Sequence, residues 1–325
     1  MINPSQSKII RDIKALRISI ALLSFVIALV IQSIAFAEPP QGAPRKIVSD
    51  DFTRNRQEAV AATASNKTSQ GGSNNSASLR PRSNRRTYRL ASQPAIRTRP
   101  SSTTVIAQLG ITIWRLRPAR PADTGTRQLL REKAENSEWV PERVEAGAVL
   151  QDADRVRISI ESPSVGYLYI VDRDLFSGDR GSEIKLIFPL LGEDNYVAPG
   201  KLVELPALES DPNYFTARPK PKQIGEMLTL IVTSKPLTEL PLSNEELLIS
   251  RVQLRQWEKT WGGAAEVWEM EGGAGEAWTQ EEQQAAARKG ARQLTRDDPA
   301  PQTIYRVSTT DNKALLVNVR LRYAK

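Results

Sequence analysis

Arg155-Val156-Arg157-Ile158-Ser159-Ile160 opens the stretch that decides the fold. Charged or polar residues alternate with apolar ones, and successive strand side chains point to opposite faces, so the pattern reads as a half-buried strand. Gly166-Tyr167-Leu168-Tyr169-Ile170-Val171 is apolar on both faces, as a mid-sheet strand is. Ile184 to Phe188 alternates again and stops at Pro189, and Leu202 to Leu205 does the same before Pro206. Met227 to Val232 closes the series, with Leu228, Leu230 and Val232 on one face. Ala198-Pro199-Gly200-Lys201 carries proline and glycine in the order that a type II turn needs. Short strands with turn residues between them, from Asp154 to Ser234, predict an antiparallel sheet. The alternation also predicts that Val156, Ile158, Tyr167, Tyr169, Leu186 and Phe188 share one core.

Upstream of this block, Ile111 to Leu116 alternates like a further strand, and order is expected to resume near Val105. Residues 38–103 are rich in Ser, Asn, Gln, Gly, Pro, Thr and Arg and poor in large apolar side chains, which predicts a disordered linker. Within it, Arg80, Arg82, Arg85, Arg86 and Arg89 surround Tyr88 and form a candidate polyanion-binding patch. The alternative is a solvated tether. Residues 1–37 have the pattern of an export signal or an N-terminal anchor. Lys8, Arg11, Lys14 and Arg17 precede an uncharged run over residues 18–37, and Ala35-Phe36-Ala37 offers a cleavage site. That run is also long enough to span a bilayer if it is not removed.

Downstream, residues 243–295 predict a Trp/Gly-rich helical insertion. Ser243 and Glu246 have capping-box spacing, and Leu247, Leu254, Trp257 and Trp261 share a helical face. A decapeptide then repeats in tandem, from Gly262 and from Gly272, with Trp268 and Trp278 at the same place in each copy. Glu281 to Leu294 reads as an alanine-rich helix, and Ile304 to Ser308 and Ala314 to Tyr323 as two final strands. The fold expected over residues 104–325 is therefore mainly β. It is an antiparallel β-sandwich-like domain with two C-terminal helices inserted before the last strands, preceded by the signal peptide and the disordered basic linker.

Composition narrows the chemistry. The 325 residues include no Cys and no His, which removes thiol nucleophiles, imidazole bases and the commonest zinc ligand. The formal charge of +8 belongs to the leader and linker; residues 104–325 hold 29 Lys/Arg against 32 Asp/Glu. An exported chain without cysteine fits a bacterial envelope, and the expected location is the periplasm or cell surface, with an anchor at residues 18–37 as the alternative.

Several motifs in order resemble a bacterial family catalogued as domain of unknown function 4384 (DUF4384). They are Asp154 to Ile158, Gly166 to Ile170, Leu186 to Pro189, Asn195 with Ala198-Pro199-Gly200, Leu205-Pro206, and Leu230 to Leu237. The resemblance covers roughly residues 110–240. It implies a β-rich accessory domain of envelope or signalling proteins, with no established activity.

The expected function is a non-enzymatic, protein- or ligand-binding or scaffolding module. The alternatives are a basic arm that binds polyanions on an inert domain, and an enzyme using Asp or Glu. No catalytic, cofactor or metal residues are assigned. Asp172, Asp174 and Glu183 fall at calcium-loop positions, but Phe176 and Ser177 break that pattern. Trp268 and Trp278, flanked by glycine, are the candidate partner-binding residues and are expected to be largely exposed. The expected partner is an envelope protein or a cell-wall polymer. Nucleic acid is not expected, and membrane contact is expected only through an uncleaved N-terminal segment.

Overall fold

The computed structural model describes residues 45–58, 86–92, 105–123, 130–132, 137–178, 181–287, 292–309 and 314–324. In chain order these form α1 (Arg45–Thr53), β1 (Tyr88–Ser92), β2 (Val105–Pro118), β3 (Leu130–Glu132), β4 (Ser137–Val144), β5 (Val149–Leu150) and β6 (Arg155–Glu161). Next come β7 (Gly166–Phe176), β8 (Ile184–Phe188), β9 (Tyr196–Val197), β10 (Leu202–Leu205), β11 (Phe215–Thr216) and β12 (Gln223–Thr233). The chain ends with β13 (Leu247–Leu248), α2 (Arg251–Trp261), β14 (Ala265–Met270), α3 (Gln280–Ala286), β15 (Thr303–Thr309) and β16 (Ala314–Tyr323). The protein is mainly β, and its sheets are antiparallel apart from the pairing of β5 with β16.

The first sheet is built on β2. Strand β6 lies along one edge, pairing from Gly110 to Leu116. The opposite edge is shared: β15 takes Val105 to Ile111 and β4 takes Ile113 to Pro118. Strands β14 and β1 extend the β15 side, β3 extends β4, and β10 and β11 extend β6. In the second sheet, β7, β12 and β16 are the long central strands, with β8 and β13 beyond β7. The inner faces of both sheets meet in one core. Leu109, Ile111, Val156, Ile158 and Ile160 come from the first sheet, and Leu168, Ile170, Leu228, Leu230, Val317 and Val319 from the second.

Each sheet is also covered on its outer face. On the second, Tyr169, Val171, Leu186 and Ile231 pack against Leu254 and Trp257 of α2, as the helical spacing of those residues predicts. The single core expected from six residues is therefore two. Val156, Ile158 and Phe188 lie between the sheets; Tyr169 and Leu186 lie under α2, with Tyr167 packed beside them. Tyr167 and Tyr169 alternate with Leu168 and Ile170 on a strand apolar on both faces, and a register irregularity between Ile170 and Val171 parts Leu186 from Phe188. It places Phe188 opposite Ile170 and Leu186 opposite Val171, so two β8 residues of like parity face opposite ways.

Two further expectations are corrected. Parts of the 38–103 stretch are ordered: α1 buries Val48 and Phe52, and β1 buries Tyr88 and pairs with β14. The few apolar side chains of this stretch are the ones used, so average composition hid them. The rest of that stretch, and residues 1–37, lie outside the described residues. The 243–295 insertion is not wholly helical either. Ser243 caps no helix; β13 pairs with β8 first, and Ser250 is the N-cap of α2, accepting from the Gln253 amide. The first decapeptide copy forms strand β14, because the open edge of β15 pairs with its backbone. The alanine-rich helix stops at Ala286, shorter than predicted, and starts in a capping box between Thr279 and Glu282. The Ala198–Lys201 turn forms as read, with Gly200 at φ 79° and the Lys201 amide donating to Ala198.

Candidate functional site

Two places concentrate polar chemistry, and they differ in access. The first is the outer face of the first sheet. On β6, Arg157, Ser159 and Glu161 alternate with the core residues as a solvent face should, yet they are buried. The covering layer is α1, α3 and the described chain at 273–287 and 292–301. Burying charge is tolerated when it is paired and hydrogen-bonded, and three arginine–carboxylate pairs lie here, although the Arg157 Nε has no hydrogen-bond partner among the described residues. Arg56 pairs with Glu161, Arg143 with Glu282, and Arg157 with Glu204 at 3.3 Å. Arg56 also donates to the carbonyls of Thr295, Asp298 and Pro299. Burial pushes the Glu204 carboxyl up to about 7, while Arg157 and the Ser159 hydroxyl pull it back.

Trp278 belongs to this sealed layer. It is 1% exposed, its ring lies 5.8 Å from that of Trp114, and the Arg157 guanidinium sits 5.4 Å from its centre. Trp268 is partly buried against the cluster of Val48, Phe52, Tyr88 and Met270. The expectation of two exposed tryptophans is therefore overturned. The glycines act as turn residues, with φ of 69° at Gly272 and 84° at Gly275, and they fold the second copy back under the sheet. A cavity of about 10 Å³ beside Thr112, Ser159 and Glu282 has room for about one water molecule. Among the described residues this layer is closely packed around that cavity.

The second place is open. A groove of about 440 Å³ runs between α2 and the far ends of β7 and β8. Its floor is apolar, made by Leu175, Phe176, Ile184 and Leu254, and Arg173, Arg251 and Arg255 stand around it. Arg251 and Arg255 are exposed on one side of α2, a turn apart. Their modest bonds are from Arg251 to the Ser182 carbonyl at 3.3 Å and from Arg255 to the Arg251 carbonyl at 3.3 Å. Among the described residues neither has a carboxylate partner. Arg173 reaches Glu258 only at 3.9 Å, and its buried Nε finds no hydrogen-bond partner among the described residues. The other groove carboxylate, Asp174, is occupied by Lys220 at 2.6 Å and Gln223 at 2.7 Å. The site therefore carries a surplus of cationic donors over a hydrophobic floor.

Asp172 and Asp174 lie on strand β7, so the segment with calcium-loop spacing is strand up to Phe176. Among the described residues no group of acidic side chains is arranged to hold a metal ion. Asp172 is pushed up to about 7, by burial first and then by Glu226. Of the basic patch, Arg80, Arg82 and Arg85 lie outside the described residues. Arg86 pairs with Glu276, and Arg89 with Glu145 at 2.6 Å, so neither is a free cation.

Sequence reasoning missed the groove because Arg173 and Arg251 are far apart in the chain and meet only through the packing of α2 on β7. The one legible signal was the pair Arg251 and Arg255, four residues apart and off the apolar face of a predicted helix. Comparison with known proteins adds no relative: no family model, no curated protein and no solved structure matches this chain. Among the described residues, no helix is long and apolar enough to cross a membrane.

Proposed function

We propose that the chain is an exported, non-enzymatic envelope module, a β-sandwich that binds a partner or ligand through the groove between α2 and the ends of β7 and β8. The observation that carries this reading is the groove itself: a concavity of about 440 Å³ that joins apolar lining to Arg251 and Arg255, which have no carboxylate partner among the described residues, and to Arg173, which reaches Glu258 only at 3.9 Å. Its volume lies in the range of small-molecule sites, and its lining mixes apolar residues with charged ones. The binding role passes from Trp268 and Trp278, which the fold consumes, to Arg173, Arg251 and Arg255. The two groove carboxylates are each set against a cation, which favours binding over acid–base chemistry. The resemblance to DUF4384, an accessory domain of envelope or signalling proteins, agrees with such a role.

The test is a pull-down from crosslinked bacterial envelope with the full chain, its Arg251→Gln/Arg255→Gln double variant and a Lys235→Gln control. The expected result is a partner recovered by the wild type and the control and lost with the double variant. Equal recovery by all three would move binding away from the groove. Fractionation that left the chain in the cytoplasm would end the envelope assignment.

A further inference from the structure

We infer that the groove takes a small anionic amphiphile, a carboxylate or phosphate head on an apolar stem; this rests on the groove being the binding site and deepens that reading. Three observations converge. The first is electrostatic. Arg251 and Arg255 are like charges four residues apart on one helix, an arrangement that is mildly destabilising by itself. The first turn of α2 has no acidic residue to offset them. Both sit in the N-terminal half of the helix, where the macrodipole already favours negative charge. An anion between them and Arg173 would relieve this repulsion.

The second observation is one of hydrogen-bond capacity. A guanidinium presents five donors in a planar fork that matches a carboxylate or phosphate. Among the described residues Arg251 and Arg255 each make one long contact to a backbone carbonyl, and Arg173 keeps an unpartnered Nε. The third is the floor. Half-buried Leu175 and Phe176 offer apolar surface in the same groove as the cations, and the buried Ile184 and Leu254 complete its apolar lining. A bare anion leaves that surface wet, whereas an alkyl stem covers it and gains from removing apolar area from water. The volume of about 440 Å³ suits a small molecule.

The full chain would be titrated calorimetrically with octanoate, octyl phosphate, octylamine and inorganic phosphate, all below micellar concentration. At least one of octanoate and octyl phosphate should bind, and the preference between them tells which head group the site selects. Octylamine should not bind, and inorganic phosphate should bind at least tenfold more weakly than octyl phosphate. The Arg251→Gln/Arg255→Gln variant should lose at least tenfold in affinity with a melting temperature no lower than that of the wild type, since both side chains are exposed and their mutual repulsion is removed. Glu258→Gln, which removes the loose partner of Arg173, should bind the anion at least as tightly as the wild type. Equal binding of octylamine, or undiminished binding by the double variant, would reduce the groove to a nonspecific apolar surface and overturn the inference. Failure of both octyl anions to bind would overturn it too, while the wider binding role would still stand or fall on the pull-down. Phosphate binding as tightly as octyl phosphate would leave a simple anion site and refute the amphiphile.

Discussion

Replacing Arg56 tests whether the segment around α1 belongs to the fold. Its side chain is 1% exposed and its partner Glu161 is 2% exposed. Arg56 Nε and Nη2 grip the two carboxylate oxygens at 2.7 and 2.6 Å, a bidentate pair. Three backbone carbonyls, of Thr295, Asp298 and Pro299, take its remaining donors at 3.0–3.2 Å. Arg56→Ala removes all five bonds and leaves Glu161 charged and buried, with the Gly200 amide as a remaining donor at 3.1 Å. Breaking one partner out of a buried pair costs about 3–5 kcal/mol. For a domain of this size, each kcal/mol moves the melting temperature by about 2–4 °C, so a fall on the order of 10 °C is expected by circular dichroism. A matched Arg56→Met/Glu161→Met variant removes both charges and should recover most of that loss, because the uncompensated carboxylate is gone. Hydrogen exchange should report opening of α1 in the single variant ahead of the central strands. A single variant melting within a degree or two of wild type would mean that residues 45–58 are not docked on the domain, and the three-carbonyl anchor would be refuted. A double variant no better than the single one would show that packing, and not the buried charge, sets the cost.

Phe188 is 4% exposed in the core between the sheets, so Phe188→Ala should cost about 3–5 kcal/mol in urea unfolding; a cost below 1 kcal/mol would put it on a surface. Trp278→Ala should be comparably destabilising and should remove a fluorophore shielded from acrylamide, whereas strong quenching of a Trp278-only variant would return that ring to the surface. Asp172 gives a pH signature: its carboxyl titrates near 7 in the fold against 3.8 as its ordinary value. The folded chain thus holds a proton that the unfolded chain has released, and this contribution to stability is present at low pH and lost as pH rises toward 7. Asp172→Asn should therefore raise the melting temperature more at pH 8 than at pH 5, and a pH-independent difference would contradict the burial and Glu226 repulsion that lift it.

Periodicity by itself determined the β class and most of the central strands. The alternation in Arg155 to Ile160 and in Ala314 to Tyr323 is a local property of the backbone, which sends neighbouring side chains to opposite faces whatever lies beyond. The proline–glycine turn at Ala198 to Lys201 and the apolar stripe of Leu254 and Trp257 were legible for the same reason. What covers each face was not local. Arg157, Ser159 and Glu161 form a polar face that water normally meets, and the sequence around them holds no sign that Arg56, Glu204 and Trp278 come from three distant segments to bury it. The Gly-Gly-Ala repeat likewise suggested loose, exposed tryptophans, because glycine disfavours ordering. Tertiary structure reversed that reading: the open edge of β15 captured the first copy as β14, and the positive φ of Gly272 and Gly275 turned the second copy inward. The groove belongs to the same category. Arg251 and Arg255 could be paired from their spacing, but Arg173 on β7 joins them only when Leu254 and Trp257 dock on the sheet, since convergence of charge from distant segments depends on packing between elements.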